Sequence, residues 1–159
     1  AATGEALPER CLSMDDVDRM DGNGFEVFCA LLWRRQGFQA TVTPKRGGDG
    51  GIDVVALKER DGELIQCKSS KSAELGWDAV KEVVAGAAKY QARFRGTRFR
   101  KVAVTNQGFT SGAQEQAVAN QVELVVRERL ADLLKLHPIT NYEFDDALQD
   151  AVEMDELVA

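Results

Sequence analysis

The stretch IDVVALKERDGELIQCKSS, residues 52–70, decides the architecture. Ile52, Val54, Val55, Ala56 and Leu57 form one apolar run, and Leu64, Ile65 and Cys67 form a second. Asp61-Gly62 between them is a hairpin signal, so the chain is expected to return as a strand over 63–69. A symmetric turn there sets Leu57 opposite Gln66, Val55 opposite Lys68 and Asp53 opposite Ser70. Side chains alternate along a strand, so Asp53, Gln66 and Lys68 then share one face, with Asp53 and Lys68 as diagonal neighbours. Near-continuous apolar strands are covered on both faces, and charges set into them need partners. Two solutions satisfy the pair. One is a structural Asp53–Lys68 ion pair. The other is a metal held by the Asp53 carboxylate, the Gln66 amide oxygen and the Cys67 backbone carbonyl, a hard-oxygen set suited to magnesium. Lys68 would then hold or help deprotonate an attacking water and neutralise charge developing at phosphorus.

Outward from this hairpin, Ser13 with Asp16 marks a short helix start, and Asp21-Gly22 ends that turn. A helix over 23–36 presents Phe25, Phe28, Cys29, Leu32 and Trp33 as one stripe, with Glu26 just beside it, and Gly37 stops it. A strand is expected over 38–43, followed by the polar loop 44–51. Beyond the hairpin, Val80, Val83, Val84, Ala87 and Ala88 give a helix over 77–94. A strand over 101–105, a helix over 110–120, a strand over 122–126 and a helix over 129–137 complete the pattern. A three-strand meander followed by alternating elements implies an α/β fold, a mixed central sheet flanked by helices on both faces.

The chain of 159 residues is sized for one domain. No apolar run approaches the roughly 18 residues of a membrane span. Its three cysteines, Cys11, Cys29 and Cys67, are scattered and read as reduced thiols of a cytoplasmic protein. The single histidine, His137, precedes Pro138 at a helix end, which leaves no two-histidine zinc site. The net charge of −6 argues at first against a polyanion partner. Its distribution does not: residues 31–110 carry fifteen basic and eight acidic side chains, while both flanks are acidic. A polyanion can meet the middle segment while the flanks keep the protein soluble.

Several separated motifs, in the same order, resemble one family. They are Gly24-Phe25-Glu26, Gly48-Asp49-Gly50-Gly51-Ile52-Asp53, Ile65-Gln66-Cys67-Lys68, and Val104-Thr105-Asn106 with Phe109-Thr110 and Ala113. Together they resemble the catalytic domain of Mrr-like type IV restriction endonucleases, within the PD-(D/E)xK nuclease superfamily, over residues 13–136. The resemblance implies a PD-(D/E)xK restriction-endonuclease-like fold and magnesium-dependent hydrolysis of DNA phosphodiesters, with manganese as a substitute metal. Asp53 and Lys68 take the catalytic places, and Gln66 matches the family's QxK variant, where the broader pattern has a carboxylate. Glu26 resembles the first-helix carboxylate that many such nucleases aim at the metal, although a glutamate near a helix N-terminus is also favourable by itself.

Asp49 reads either as a turn residue or as a water-mediated ligand. The loop's glycines allow sharp turning and close DNA approach, and no P-loop lysine accompanies them. Lys45, Arg46 and Lys71 are candidate phosphate contacts, equally consistent with free surface charges. The segment before the helix at 110 offers either free amides for a phosphate or ordinary capping by Thr110 or Ser111.

The expected organisation is an N-terminal extension over 1–12, the nuclease domain over 13–137, and an acidic tail or docked helix over 138–159. DNA is the expected partner. Restriction enzymes of this kind usually add a recognition domain, for which no segment remains here, and cutting both strands is simplest for a homodimer. Two other readings are a Holliday-junction-resolvase-like structure-selective nuclease and a catalytically silent DNA-binding module.

Overall fold

The computed structural model describes residues 7–44 and 51–157. Lys45, Arg46 and Asp49 lie outside them. Ser13 caps helix α1 (Met14–Asp18) through a capping box with Asp16, as its spacing predicts. Asp21, expected to close a turn, instead caps α2 (Gly22–Arg35) by accepting from the Gly24 amide at 2.7 Å. Then follow β1 (Gln39–Val42), β2 (Val54–Lys58), β3 (Asp61–Lys68), α3 (Asp78–Arg93), β4 (Arg98–Thr105), α4 (Ser111–Ala119), β5 (Val122–Val125), α5 (Arg127–Leu136) and α6 (Asn141–Leu157).

The five strands stand in chain order in one sheet. The first three pair antiparallel, and β3–β4 and β4–β5 pair parallel through α3 and α4. The predicted mixed sheet is therefore the observed one. Alternation sorts the central strands into two cores. Val54, Ala56, Ile65 and Cys67 face α1, α2 and α5, whereas Leu64 and Ala103 face α3 and α4. Burial of such side chains, at about 25 cal/mol per Å² of apolar surface, clamps the helices to both faces. Acidic α6 packs Phe144 against the first core and pairs Glu143 with Arg35 of α2. Among the described residues, no helix is long and apolar enough to cross a membrane.

The hairpin corrects the sequence-based register. The turn is Glu59-Arg60, not Asp61-Gly62: Lys58 pairs with Asp61, Leu57 with Gly62 and Val55 with Leu64. Glu59 accepts the left-handed conformation at φ 58° that the tight turn needs. Gly62 is a strand residue because the Phe99 ring lies against it. A Cβ there would come within 2.6 Å of that ring and 2.9 Å of the Ala56 carbonyl. The Asp-Gly signal thus reflects packing room rather than a turn. The shift is four residues, from Leu57–Gln66 to Leu57–Gly62. An even shift preserves the side-chain parity of the paired residues, and Asp53, at a bend beyond the ladder, opens on the same cleft as Gln66 and Lys68.

Candidate active site

Where the β2–β3 ladder ends at Val54–Ile65, the chain bends at Asp53, and β3 runs on toward Lys68 paired with β4 alone. A cleft of about 560 Å³ opens there. Its walls come from the N-terminal turns of α2 (Gly22, Asn23, Glu26), the entry to β2 (Gly51, Asp53), the end of β3 (Gln66 to Ser69) and Glu82 of α3. Asp53, Gln66, Lys68 and Glu26 are thereby gathered in one place. Three of the four are buried: Glu26 and Asp53 are 6% exposed and Gln66 is 4% exposed.

The Asp53 carboxylate is held by the backbone. Its Oδ2 accepts from the Cys67 amide at 2.8 Å, while its own amide donates to Ile65 O at 2.8 Å. A strand residue's N–H and C=O point toward the same neighbouring strand, so the Cys67 carbonyl also faces the β2 side, past the end of the ladder. The Cys67 side chain points the other way, into the first core. Burial, reinforced by Cys29, pushes its thiol well above the ordinary range. Cys67 therefore offers the cleft its backbone, not a thiolate.

Gln66 lies on the α3 side. Its Nε2 donates to Glu82 Oε2 at 2.6 Å, and Lys68 Nζ is ion-paired with the same oxygen at 2.9 Å. With the amide nitrogen so engaged, Gln66 Oε1 is buried without a hydrogen-bond partner. A buried carbonyl left unsatisfied costs roughly 1–3 kcal/mol, so this oxygen is suited to accept from a donor or a cation. A hard cation fits that demand: one cleft is lined by Gln66, Asp53, Cys67 and the buried Glu26, whose amide, carboxylate and carbonyl oxygens are of the kind magnesium takes. Among the described residues there is no cluster of three histidine, cysteine, aspartate or glutamate side chains able to hold a metal, so the described part of such a site would draw on carbonyl and amide oxygens as well.

Two features of the site were not legible from spacing. Glu82 sits off the apolar stripe of α3, where it reads as a solvated charge. The available signal was chemical: a QxK strand has an uncompensated lysine that calls for an anion nearby. Gly51 is the other. At φ +86° its missing Cβ would lie 2.2 Å from the Glu82 carbonyl oxygen, so the glycine lets the approach to Asp53 press against α3, a protein contact where the sequence suggested DNA.

Behind the cleft, buried Asn106 ties the exit of β3. Its Oδ1 accepts from Ser70 N at 2.8 Å, and its Nδ2 donates to Ser70 O at 2.9 Å and Asp18 Oδ1 at 3.0 Å. Arg127 clasps Asp18 with both terminal nitrogens, at 2.7 and 3.0 Å, and holds its carboxyl below the usual range. Lys71, expected near phosphate, is exposed and donates to Asp18 O at 3.1 Å. Thr110 caps α4 by accepting from Ala113 N at 3.2 Å, the ordinary reading of that segment.

Comparison with known proteins places this geometry. The profile of the Mrr catalytic-domain family, described as restriction endonuclease, matches residues 17–134. Among solved structures, AF1548, a protein of unknown function, is 19% identical with TM-score 0.61, covering 72% of this chain and 65% of its own. The restriction endonuclease MspJI, solved with a 27-mer oligonucleotide, is 20% identical with TM-score 0.51, covering 92% of this chain and 39% of its own. The DNA modification-dependent restriction endonuclease AspBHI is 16% identical with TM-score 0.57, covering 89% and 39%. The chain thus spans about two fifths of the length of these two enzymes. No curated protein matches it.

Proposed function

Because the chain belongs to the Mrr catalytic-domain family of restriction endonucleases and is a nuclease domain by that membership, we propose that its cleft hydrolyses DNA phosphodiesters with magnesium, in restriction of foreign or modified DNA. The observation that carries the metal is the buried, partnerless Gln66 Oε1 in the cleft that Asp53 also lines. Asp53, Gln66 Oε1 and the Cys67 carbonyl would hold the ion, with Glu26 as the adjacent carboxylate. Bound there, magnesium would draw charge from a phosphate oxygen and acidify water, and manganese would serve in its place.

The chain's own residues supply the rest. Lys68 orients the attacking water and offsets the charge that grows on the phosphate oxygens. The Cys67 amide keeps Asp53 in one orientation, so its geometry is set before substrate arrives. Lys71 beyond the strand, together with Lys45 and Arg46, is proposed to meet the DNA backbone, where each contact adds salt-dependent affinity without sequence choice. A homodimer would bring two clefts to the two strands.

Incubation with supercoiled plasmid in magnesium tests the reading. Nicked and linear products that vanish with a chelator and return with magnesium or manganese support it, and intact plasmid under all conditions overturns it. Parallel digests of methylated and unmethylated DNA report the modification preference.

A further inference from the structure

Gln66 stands where a carboxylate would carry negative charge, and an amide has a defect a carboxylate lacks: only one of its two ends can face a cation. Turned the wrong way, Gln66 would point an N–H₂ at the metal position. The cleft contains a device against this. Glu82 Oε2 accepts from Gln66 Nε2 at 2.6 Å and from Lys68 Nζ at 2.9 Å, so a single helix oxygen holds the donor ends of both strand residues. Gln66 Oε1 is left buried and without a protein partner, in a side chain that lines the same cleft as Asp53. Gly51 packs directly on the Glu82 backbone, where a Cβ would stand 2.2 Å from the carbonyl oxygen, so this turn of α3 sits against the approach to Asp53. The carboxylate that QxK lacks on the strand is thus restored to the cleft from α3.

We infer that Glu82 is a positioning residue for this site: it fixes the Gln66 amide with its oxygen toward the metal and steadies Lys68, without itself binding the ion. The inference rests on the magnesium-nuclease reading. Outer partners that orient a ligand typically account for 10–100-fold in metal affinity. A carboxylate at position 66 would need no such orientation, since both its oxygens accept.

Calorimetric titration with magnesium, without DNA, tests this on folded variants. The parent and Asp53→Ala establish the site: a parent that binds no magnesium, or an Asp53→Ala that binds as well, overturns the metal reading and the inference with it. Given parent binding that Asp53→Ala abolishes, Glu82→Ala is expected to bind about 10–100-fold more weakly. Adding Gln66→Glu to Glu82→Ala is expected to restore affinity to within a few-fold of the parent. Glu82→Ala binding like the parent overturns the positioning role while leaving the metal site standing. A double variant as weak as Glu82→Ala also overturns it, since a side chain at position 66 that needs no orienting would then fail to replace what Glu82 supplies. Glu82→Met, a good helix former of similar length, takes the place of Glu82→Ala if that variant does not fold.

Discussion

The Asp53 carboxylate and the Cys67 backbone amide are joined at 2.8 Å, so one side chain both closes the end of the β2–β3 ladder and faces the cleft. The two roles separate by substitution. Asparagine can still accept from the Cys67 amide but brings no charge. Asp53→Asn should keep a melting temperature close to the parent's and lose DNA cleavage by on the order of 10²-fold or more. Asp53→Ala should lose cleavage as well and fall by about 1–3 kcal/mol in stability, because a buried N–H is left without its partner. Thermal unfolding alongside plasmid cleavage measures both. Equal stability losses in the two variants would contradict the structural half of this assignment.

Gly51 has no room for a methyl group. At φ +86° an alanine is strained, and its Cβ would meet the Glu82 carbonyl oxygen at 2.2 Å, which is backbone and cannot swing aside. Gly51→Ala is expected to cost about 2 kcal/mol or more. That is a fall of roughly 4–8 °C in Tm for a domain of this size. Because the displaced segment leads into Asp53, cleavage should fall as well. A variant as stable and active as the parent would place the glycine outside the site's architecture.

The corrected hairpin turn makes an opposite prediction. Glu59 holds φ 58° without being glycine. Glu59→Gly should stabilise the protein by about 0.5–1 kcal/mol, the relief of left-handed strain less the added freedom of the unfolded chain. The same change would be neutral or harmful if the turn lay at Asp61-Gly62, and chemical denaturation distinguishes the two.

Asp18 gives the fold an acid sensitivity of predictable sign. Hydrogen bonding from Arg127 is the largest cause of its lowered pKa, from an ordinary value of 3.8. A depressed carboxyl contributes stability that is complete above the unfolded value and is lost as pH falls through the folded one. The difference in Tm between the parent and Asp18→Asn should therefore be full above about pH 5 and shrink steadily below pH 4. Asp16, lowered by hydrogen bonding from Arg10, titrates in the same direction and keeps some acid sensitivity in the variant. A difference that widens toward low pH would contradict the assignment.

Element order and fold class were legible because the chain's patterns agree at every level. The stripe from Phe25 to Trp33 becomes the buried face of α2, and the apolar runs around Asp53 and Gln66 become strands covered on both faces. The hairpin turn was not legible, since Asp61-Gly62 carries a turn signature while Gly62 actually makes room for Phe99, a contact from a strand more than thirty residues away. Asp53, Gln66 and Lys68 still meet in one cleft, because the shift was even along the paired strands and the bend at Asp53 turns that residue into the cleft. Glu82 could not be found by spacing at all, since its partners are brought to it by the packing of α3 on the sheet. Asn106 stood out in the sequence only as part of a motif; its work, pinning both backbone groups of Ser70, needs the parallel β3–β4 pairing to be seen.

Lys68 and Asp53 are proposed to cut DNA from this cleft. The most direct test is the rate of phosphodiester cleavage in magnesium by the parent, Lys68→Ala and Asp53→Asn, each first checked to unfold at a comparable temperature. Cleavage by the parent and a loss of roughly 10²–10⁴-fold in each variant are expected. Folded variants that cut as fast as the parent would contradict the proposal.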